Sequence, residues 1–279
     1  MKIRTRMSLW LVLPALALSF GAITFATARI FRHPAISVTV QNSSKEAQSN
    51  RNRYVRRGLL SPRLALNLNA LGNRLESPGQ ERLILMGNLR LGGEEKREFA
   101  AFLEFPDKLR LSFSGPKERV LIFDGQQTKA LLTPADDLDL IETLVYDSAE
   151  HFFAAQMQGN ATRFLGSRFR MDDGANPDYN GPYFDVYKIA DQIKASGQDR
   201  PAKLYYFNSD TLLLERVSYV INRDGAEISV ETRLSDWRAT DGQQVPRRIE
   251  RFENEKPVFV LTLWSAAVAH RADDGMFVQ

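Results

Sequence analysis

Three pairs of adjacent aspartates and three separate histidines are the residues of this sequence that could perform acid–base or metal chemistry. The pairs are Asp136-Asp137, Asp172-Asp173 and Asp273-Asp274, and the histidines are His33, His151 and His270. Adjacent strand residues point to opposite faces, so a pair does not by itself form a carboxylate dyad, and we interpret these aspartates as loop or cap residues. The histidines lack the close spacing of a metal site.

Other motifs for catalysis or cofactor binding are missing from the sequence. There is no cysteine, which excludes disulfides, thiolate nucleophiles and cysteine metal sites. Residues 172–181, DDGANPDYNG, have the composition of a calcium loop without its alternating aspartates and final glutamate. A GxSxG elbow and the glycine loops of nucleotide-binding proteins are absent as well. We therefore expect a protein that is not an enzyme and that holds no metal and no cofactor.

Composition indicates an ordinary globular protein. Hydrophobic residues make up 43% of the chain and charged residues 25%, which is typical of a chain that can bury a core. Lys and Arg number 37 against 34 for Asp and Glu. Because this excess is small and no basic patch interleaved with aromatic residues is visible, we expect no nucleic-acid partner.

The N-terminus predicts export from the cytoplasm. An uncharged apolar run covers residues 9–28 between basic flanks, and about 20 such residues can cross a membrane as a helix. The run is either an uncleaved inner-membrane anchor or a signal peptide that is cleaved after Ala28. We therefore assign residues 1–32 to a signal anchor or signal peptide and residues 33–60 to a polar, basic linker.

The elements that follow are one helix and a series of short strands. Ser61-Pro62 predicts a helix start, and a leucine stripe continues to Leu75, before a stop at Pro78-Gly79. Short apolar strands with turn signals every eight to twelve residues then predict an antiparallel meander. A helical insertion of about 25 residues interrupts it, with starts at Pro134 and Ser148.

The later strands indicate that the sheet is strongly curved. Phe259, Leu261 and Leu263 alternate with Val260 and Trp264, so both faces are apolar. A sheet with one face in water has one polar face instead. One interpretation is an apolar cavity closed by the helices, and the alternative is an ordinary core that fills the same space.

Several short motifs occur in a fixed order along residues 61–278. After the leucine-rich helix they are GNLRL (87–91), EFPDKLRLSFSG (104–115), FDG (123–125), YYFNSDTLLLERVSY (205–219), SDWRATDGQQVPRRIERF (235–252) and DDGMF (273–277). In this order they resemble the LolA/LolB-like family of periplasmic lipoprotein-sorting carriers. Each motif alone is short and turn-like, and the ordered set is more specific for fold than for partner.

The resemblance implies a mainly β (α+β) fold over residues 61–279: a curved antiparallel half-barrel of about eleven strands with a packing helix and a helical lid insertion. In the carriers the apolar interior accepts the acyl chains of lipoproteins, and relatives serve as envelope-stress sensors or lipid-binding modules. This chain departs from the carriers because it has no cysteine to be lipidated. An uncleaved anchor would also prevent it from shuttling across the periplasm.

We therefore expect a non-catalytic domain in the bacterial periplasm. Residues 9–28 would tether it to the inner membrane, unless cleavage releases it, and acyl chains or a lipidated protein would be its ligands. The alternative is an envelope sensor or scaffold that binds a protein partner through the same fold.

The candidate ligand-binding residues are apolar or aromatic side chains of the sheet and the lid, with one arginine. They are Leu85, Leu89, Leu103, Leu109, Leu111, Phe113, Phe152, Phe153, Met157, Trp237, Arg247 and Trp264. For the aromatic residues and Met157, packing in an ordinary core is the alternative to lining a cavity.

In one predicted strand, arginines alternate with aliphatic residues along the same face. Val245, Arg247, Ile249 and Arg251 share a face. If that face points inward, the arginines require a carboxylate such as Glu231 or the polar head of a ligand, because an unpaired buried charge is costly. If it points outward, they are surface charges.

Overall fold

The computed structural model describes residues 60–72, 81–92, 96–114, 119–125, 128–129, 134–157, 162–168, 183–189, 201–271 and 275–277. All of them belong to the larger of two compact units, Asn42–Gln279. The predicted signal segment, nearly all of the linker and the calcium-like segment 172–181 lie outside the described residues. Within the described ranges, no helix is long and apolar enough to span a membrane.

A twelve-stranded antiparallel sheet forms the frame of the domain. Its strands are β1 (Glu81–Leu91), β2 (Arg97–Glu104), β3 (Lys108–Phe113), β4 (Arg119–Phe123), β5 (Thr128–Lys129), β6 (Thr162–Arg168), β7 (Phe184–Ile189), β8 (Lys203–Asn208), β9 (Leu214–Arg223), β10 (Ala226–Thr240), β11 (Gln243–Glu253) and β12 (Lys256–His270). The order across the sheet is β5-β4-β3-β2-β1-β12-β11-β10-β9-β8-β7-β6. The sheet is open, since β5 and β6 are its edges, and this agrees with a half-barrel.

The helical insertion connects the two edges of the sheet. It consists of α2 (Pro134–Ile141), a π-helical turn (Glu142–Tyr146) and α3 (Ala149–Met157). The chain therefore passes from β5 to β6 through residues 134–157, which we call the insertion. As predicted, Ser148 begins its last helix, because the Ser148 hydroxyl accepts a hydrogen bond from the backbone N–H of His151 at 3.1 Å.

Helix α1 (Pro62–Leu71) starts where the sequence predicts and ends earlier. The Ser61 hydroxyl accepts a hydrogen bond from the backbone N–H of Leu64 at 3.2 Å. The predicted end near Pro78-Gly79 is wrong, because the helix stops before Gly72, whose φ is 85° and ψ −159°. That backbone conformation is essentially restricted to glycine. Packing against the β10–β11 turn favours glycine too, since a Cβ at Gly72 would lie 2.5 Å from the Gly242 carbonyl oxygen.

The turn signals between the later strands include two Asp-Gly pairs, each of which predicts a tight hairpin turn, and both predictions are confirmed. Asp224 and Gly225 have φ values of 55° and 81° between β9 and β10. Asp241 and Gly242 have 50° and 76° between β10 and β11. Positive φ at both central residues belongs to the two-residue turn whose twist matches that of the strands, and Asp-Gly is among its preferred sequences.

Two hydrophobic clusters cover one face of the sheet, which we call the inner face. The first cluster joins β1–β4, β11 and β12 to α2 and the π-helical turn. The second joins β7–β10 to α1 and α3. Leu234 of the second cluster pairs with Ile249 of the first across β10 and β11, so both clusters lie on the same face.

Candidate functional site

The inner face and the insertion enclose a small cavity. The sheet contributes Leu85, Leu103 and Val245 among others, and the insertion contributes Thr143 and Leu144. Its volume is about 30 Å³, which is room for about two water molecules. Ligand sites are usually ~300–1,000 Å³. Of the two interpretations of the apolar interior, the structure is therefore closer to the filled core.

Most of the candidate ligand-binding residues lie on the inner face. Leu85, Leu89, Leu103, Leu109, Leu111 and Phe113 are buried in the first cluster. Phe152 and Phe153 are buried in the second cluster, and Met157 and Trp237 pack against it. Of these candidates, Leu85, Leu103 and Trp237 line the cavity itself.

The structure does not bring Trp264 to the inner face. Its side chain is 53% exposed. In the pairing of β1 with β12, Gly87 faces Leu263 and Met86 faces Ser265, which leaves Trp264 as the extra residue of a β-bulge. The sequence predicts a bend or bulge at Gly87, and this is confirmed. Leu263 is buried in the first cluster, so its neighbour Trp264 points to the other face, and beyond the bulge Ala266 and Val268 pack against the cluster instead. Trp264 therefore does not line the cavity.

Val245 and Ile249 of β11 are buried in the first cluster, so the face that they share with the two arginines points inward. Arg247 and Arg251 therefore share the inner face. Arg247 donates to the Thr240 hydroxyl at 2.6 Å. Its Nε and Nη1 atoms are buried and find no acceptor among the described residues.

Arg251 is 1% exposed and has acidic partners. It contacts Asp139 of the insertion at 2.9 Å and Glu253 at 3.0 Å. It also donates to the Tyr219 hydroxyl at 2.9 Å. Its carboxylate partners are therefore Asp139 and Glu253, and Glu231 pairs instead with Arg216, at 2.6 Å.

A second buried cation joins the insertion to the sheet nearby. The Lys203 ammonium group of β8 pairs with Glu142 and Asp147, both of which belong to the insertion. Asp147 is fully buried. It also accepts hydrogen bonds from the Thr232 hydroxyl at 2.5 Å and from the Tyr219 hydroxyl at 3.3 Å.

Acidic side chains of the insertion thus meet basic side chains of the sheet, in an arrangement that we call the charged cluster. Its members are Asp139, Glu142, Asp147, Lys203, Tyr219, Thr232 and Arg251. Hydrogen bonds and opposite charges offset the cost of burying these groups. The cluster fixes the insertion against β8–β11 at a defined position.

Burial perturbs the pKa values inside the charged cluster. It raises the pKa of the Asp147 carboxyl, and the neighbouring Lys203 ammonium opposes that effect. Burial also raises the pKa of Tyr219, and Asp147 adds to the increase. For Arg251, burial lowers the pKa, but Tyr219, Asp139 and Asp147 outweigh it and the net direction is upward. These interactions keep Arg251 charged and Tyr219 protonated, which suits a structural contact.

The sequence also carries a signal for the burial of Lys203. Lys203 alternates with Tyr205 and Phe207, which are both buried in the second cluster. A basic residue in line with buried apolar residues on one face of a strand is the same pattern that drew attention to Arg247 and Arg251. Asp147 gave no comparable signal, because an acidic residue before Ser148 looks like an ordinary helix start.

No chemistry of metal binding is evident in the residues that the structure describes. Within those ranges, no group of three or more His, Asp and Glu side chains could hold a metal ion.

Comparison with known proteins gives a structural likeness and no sequence match. No protein-family model matches the chain, and no curated protein matches it. The structure resembles the crystal structure of a LolA superfamily protein from Nitrosomonas europaea, with 9% identity and a TM-score of 0.50, over 77% of this chain and 96% of that one.

A domain from Vibrio parahaemolyticus that bears the name of an outer membrane lipoprotein-sorting protein is also similar. It has 10% identity and a TM-score of 0.46, over 77% of this chain and 94% of that one. The sheet, the insertion that crosses its inner face and the likeness to the protein from Nitrosomonas europaea together lead to one conclusion: this chain has the LolA-like fold.

Proposed function

We propose that this domain is a non-catalytic binding domain of the bacterial periplasm, tethered to the inner membrane by residues 9–28. Its ligand is the acyl chain of a lipid or of a lipidated protein, which lies between the inner face and the insertion. The observation that carries the proposal is the cavity lined by Leu85, Leu103 and Val245 under the insertion. The LolA-like fold supports it.

Binding requires the insertion to move. The cavity of about 30 Å³ is too small for an acyl chain. Burial of the chain contributes roughly 0.8 kcal/mol for each CH₂ group, which can offset the loss of packing when the insertion shifts. The charged cluster holds the middle of the insertion through Asp139, Glu142 and Asp147, so its contacts oppose this movement.

Binding of a protein partner is the second candidate function. It is favoured by the small volume of the cavity and by Leu138, which is 51% exposed on α2. An exposed apolar side chain on the insertion suits a protein contact better than a lipid inside the sheet.

Native mass spectrometry of the full chain with dodecanoic acid tests the first candidate. We expect a one-to-one adduct that Val245→Phe weakens, because the larger side chain fills the cavity beside Leu144. The matched control is Val220→Phe on an exposed position of β9, which is expected to bind normally. Absence of an adduct with any acyl probe would contradict the proposal and favour the protein-partner candidate.

A further inference from the structure

A groove of about 530 Å³ opens where β9 and β10 part. The last pair of these two strands is Arg216 with Arg233, and β10 then continues to Thr240 paired with β11. Glu215 and Arg216 line one side of the groove, and Arg233 and Trp237 line the other. The volume lies within the range of small-molecule sites.

The groove adjoins the cavity under the insertion. Leu234 and Trp237 line both spaces. These two side chains therefore separate the groove from the cavity, and an elongated molecule in the groove would reach the inner face by displacing them. Leu213 and Phe184 add further apolar surface to the groove.

Carboxylates outnumber cations along the groove. Three of the carboxylates have arginine partners: Glu231 pairs with Arg216 at 2.6 Å, Asp236 with Arg238 at 2.9 Å, and Glu250 with Arg248 at 2.7 Å. Their charges are therefore compensated within the protein.

Glu215 is the exception among these groove carboxylates. Its carboxylate accepts one hydrogen bond, from the neutral amide of Asn208 at 2.9 Å, and no cation of the described residues pairs with it. Burial raises the pKa of Glu215, and no basic neighbour opposes that effect. A positively charged ligand group would supply the missing partner.

Among the described residues, Trp237 contributes a second polar group that lacks a hydrogen-bond partner, after the Glu215 carboxylate that lacks a cation. Its indole N–H is buried and finds no acceptor in the part of the chain that the structure describes. An indole N–H can only donate, and leaving it unpaired in the interior is unfavourable. A ligand oxygen beside Trp237, where groove and cavity adjoin, would accept this hydrogen bond.

We propose that the groove binds the headgroup of an amine-bearing amphiphile. The ammonium group pairs with Glu215, an oxygen near the chain accepts from Trp237, and the chain passes Leu234 to reach the inner face. This inference rests on the proposed function, because it names the headgroup of the ligand whose chain the interior takes.

Isothermal titration of the full chain with two lysophospholipids of identical acyl chain tests the headgroup. Lysophosphatidylethanolamine carries the amine, and lysophosphatidylglycerol carries the same phosphate without it. We expect the first to bind about tenfold more tightly, which is the order of effect of one charge-assisted hydrogen bond. Phosphoethanolamine, which has the headgroup without the chain, is expected to bind more weakly than the lysolipid, since the chain supplies apolar burial.

Glu215→Gln should abolish the preference for the amine and leave lysophosphatidylglycerol binding unchanged. The glutamine keeps the oxygen that accepts from Asn208, so the local fold is retained. Glu227→Gln, at an exposed position of β10, is the matched control and should keep the preference. The wild-type preference should also disappear when the pH falls below the pKa of Glu215, which needs no variant.

Equal affinity of the wild-type chain for the two lysolipids would overturn the inference while leaving the proposed function intact. The same holds if Glu215→Gln keeps the preference. Absence of binding by both lysolipids and by dodecanoic acid would instead overturn the proposed function and the inference together.

Discussion

Lys203 and Arg251 carry their charges into the interior because carboxylates of the insertion meet them there. A basic side chain that alternates with apolar residues along one face of a strand can be recognised in the sequence, as Arg251 is. The acidic partner of Arg251 cannot be identified in this way, because Asp139 lies 112 residues away along the chain. At the residue scale, sequence therefore predicts that a charge needs a partner and leaves its identity open.

Removing one member of the charged cluster should be strongly destabilising. Lys203→Met leaves the fully buried Asp147 without its cation, and we expect the free energy of unfolding to fall by about 3 to 5 kcal/mol. Urea unfolding at neutral pH measures this loss. The double variant Lys203→Met with Asp147→Asn should be less destabilised than the sum of the single variants. A loss below ~1 kcal/mol in the single variant would show that the pair contributes little.

Glu215 should reduce stability at neutral pH. Burial raises its pKa in the folded protein, so its contribution to stability is full below the ordinary Glu pKa of about 4.3 and is lost as the pH rises through the folded-state value. Glu215→Gln should therefore unfold at a higher urea concentration than the wild type at neutral pH, and the difference should shrink in acid. Glu227→Gln is the control with no such gain. A lower urea midpoint for Glu215→Gln at neutral pH would contradict the expectation.

At the scale of elements, local signals predicted most starts and turns of the described residues. Ser61-Pro62 starts α1, Ser148 caps α3, and Asp241-Gly242 forms the predicted hairpin turn. These signals succeed because capping and left-handed turns depend on a few neighbouring residues. The end of α1 could not be predicted in this way, because the contact of Gly72 with Gly242 depends on the packing of distant elements.

Substitution of two glycines distinguishes the loss of stability caused by a steric clash from the loss caused by backbone strain alone. Gly72→Ala places a Cβ 2.5 Å from the Gly242 carbonyl oxygen, whereas a Cβ at Gly242 meets nothing within 4 Å, although φ is positive at both. We expect Gly242→Ala to cost about 1 kcal/mol of stability and Gly72→Ala clearly more. Thermal unfolding of both variants is the measurement. Equal losses would mean that α1 does not lie against the β10–β11 turn.

At the scale of the whole molecule, the sequence predicted the class of fold and not the state of its interior. Turn spacing and apolar alternation indicated a curved antiparallel sheet with a helical insertion, and the resemblance implied a half-barrel. The volume of the cavity depends on how Thr143 and Leu144 of the insertion pack against the sheet. Lid and core residues have the same composition, so no pattern of residue types could distinguish the two.

The bulge at Gly87 shows how a small local feature limits predictions at this scale. Strict alternation from Leu263 would turn Ser265 and Ala267 inward, but the extra residue Trp264 shifts the register, and Ala266 and Val268 pack on the inner face instead. Two of the candidate aromatic residues, Trp237 and Trp264, therefore lie on different sides of the sheet. This difference makes them internal reporters for the place where a ligand binds.

Fluorescence quenching by a brominated fatty acid tests most directly whether an acyl chain binds on the inner face. The chain has three tryptophans, so Trp10→Phe with Trp264→Phe leaves Trp237 at the cavity, and Trp10→Phe with Trp237→Phe leaves Trp264 on the exposed bulge. We predict saturable quenching of Trp237, with Trp264 unaffected at the same concentrations. Quenching of Trp264 without quenching of Trp237 would contradict binding inside the half-barrel.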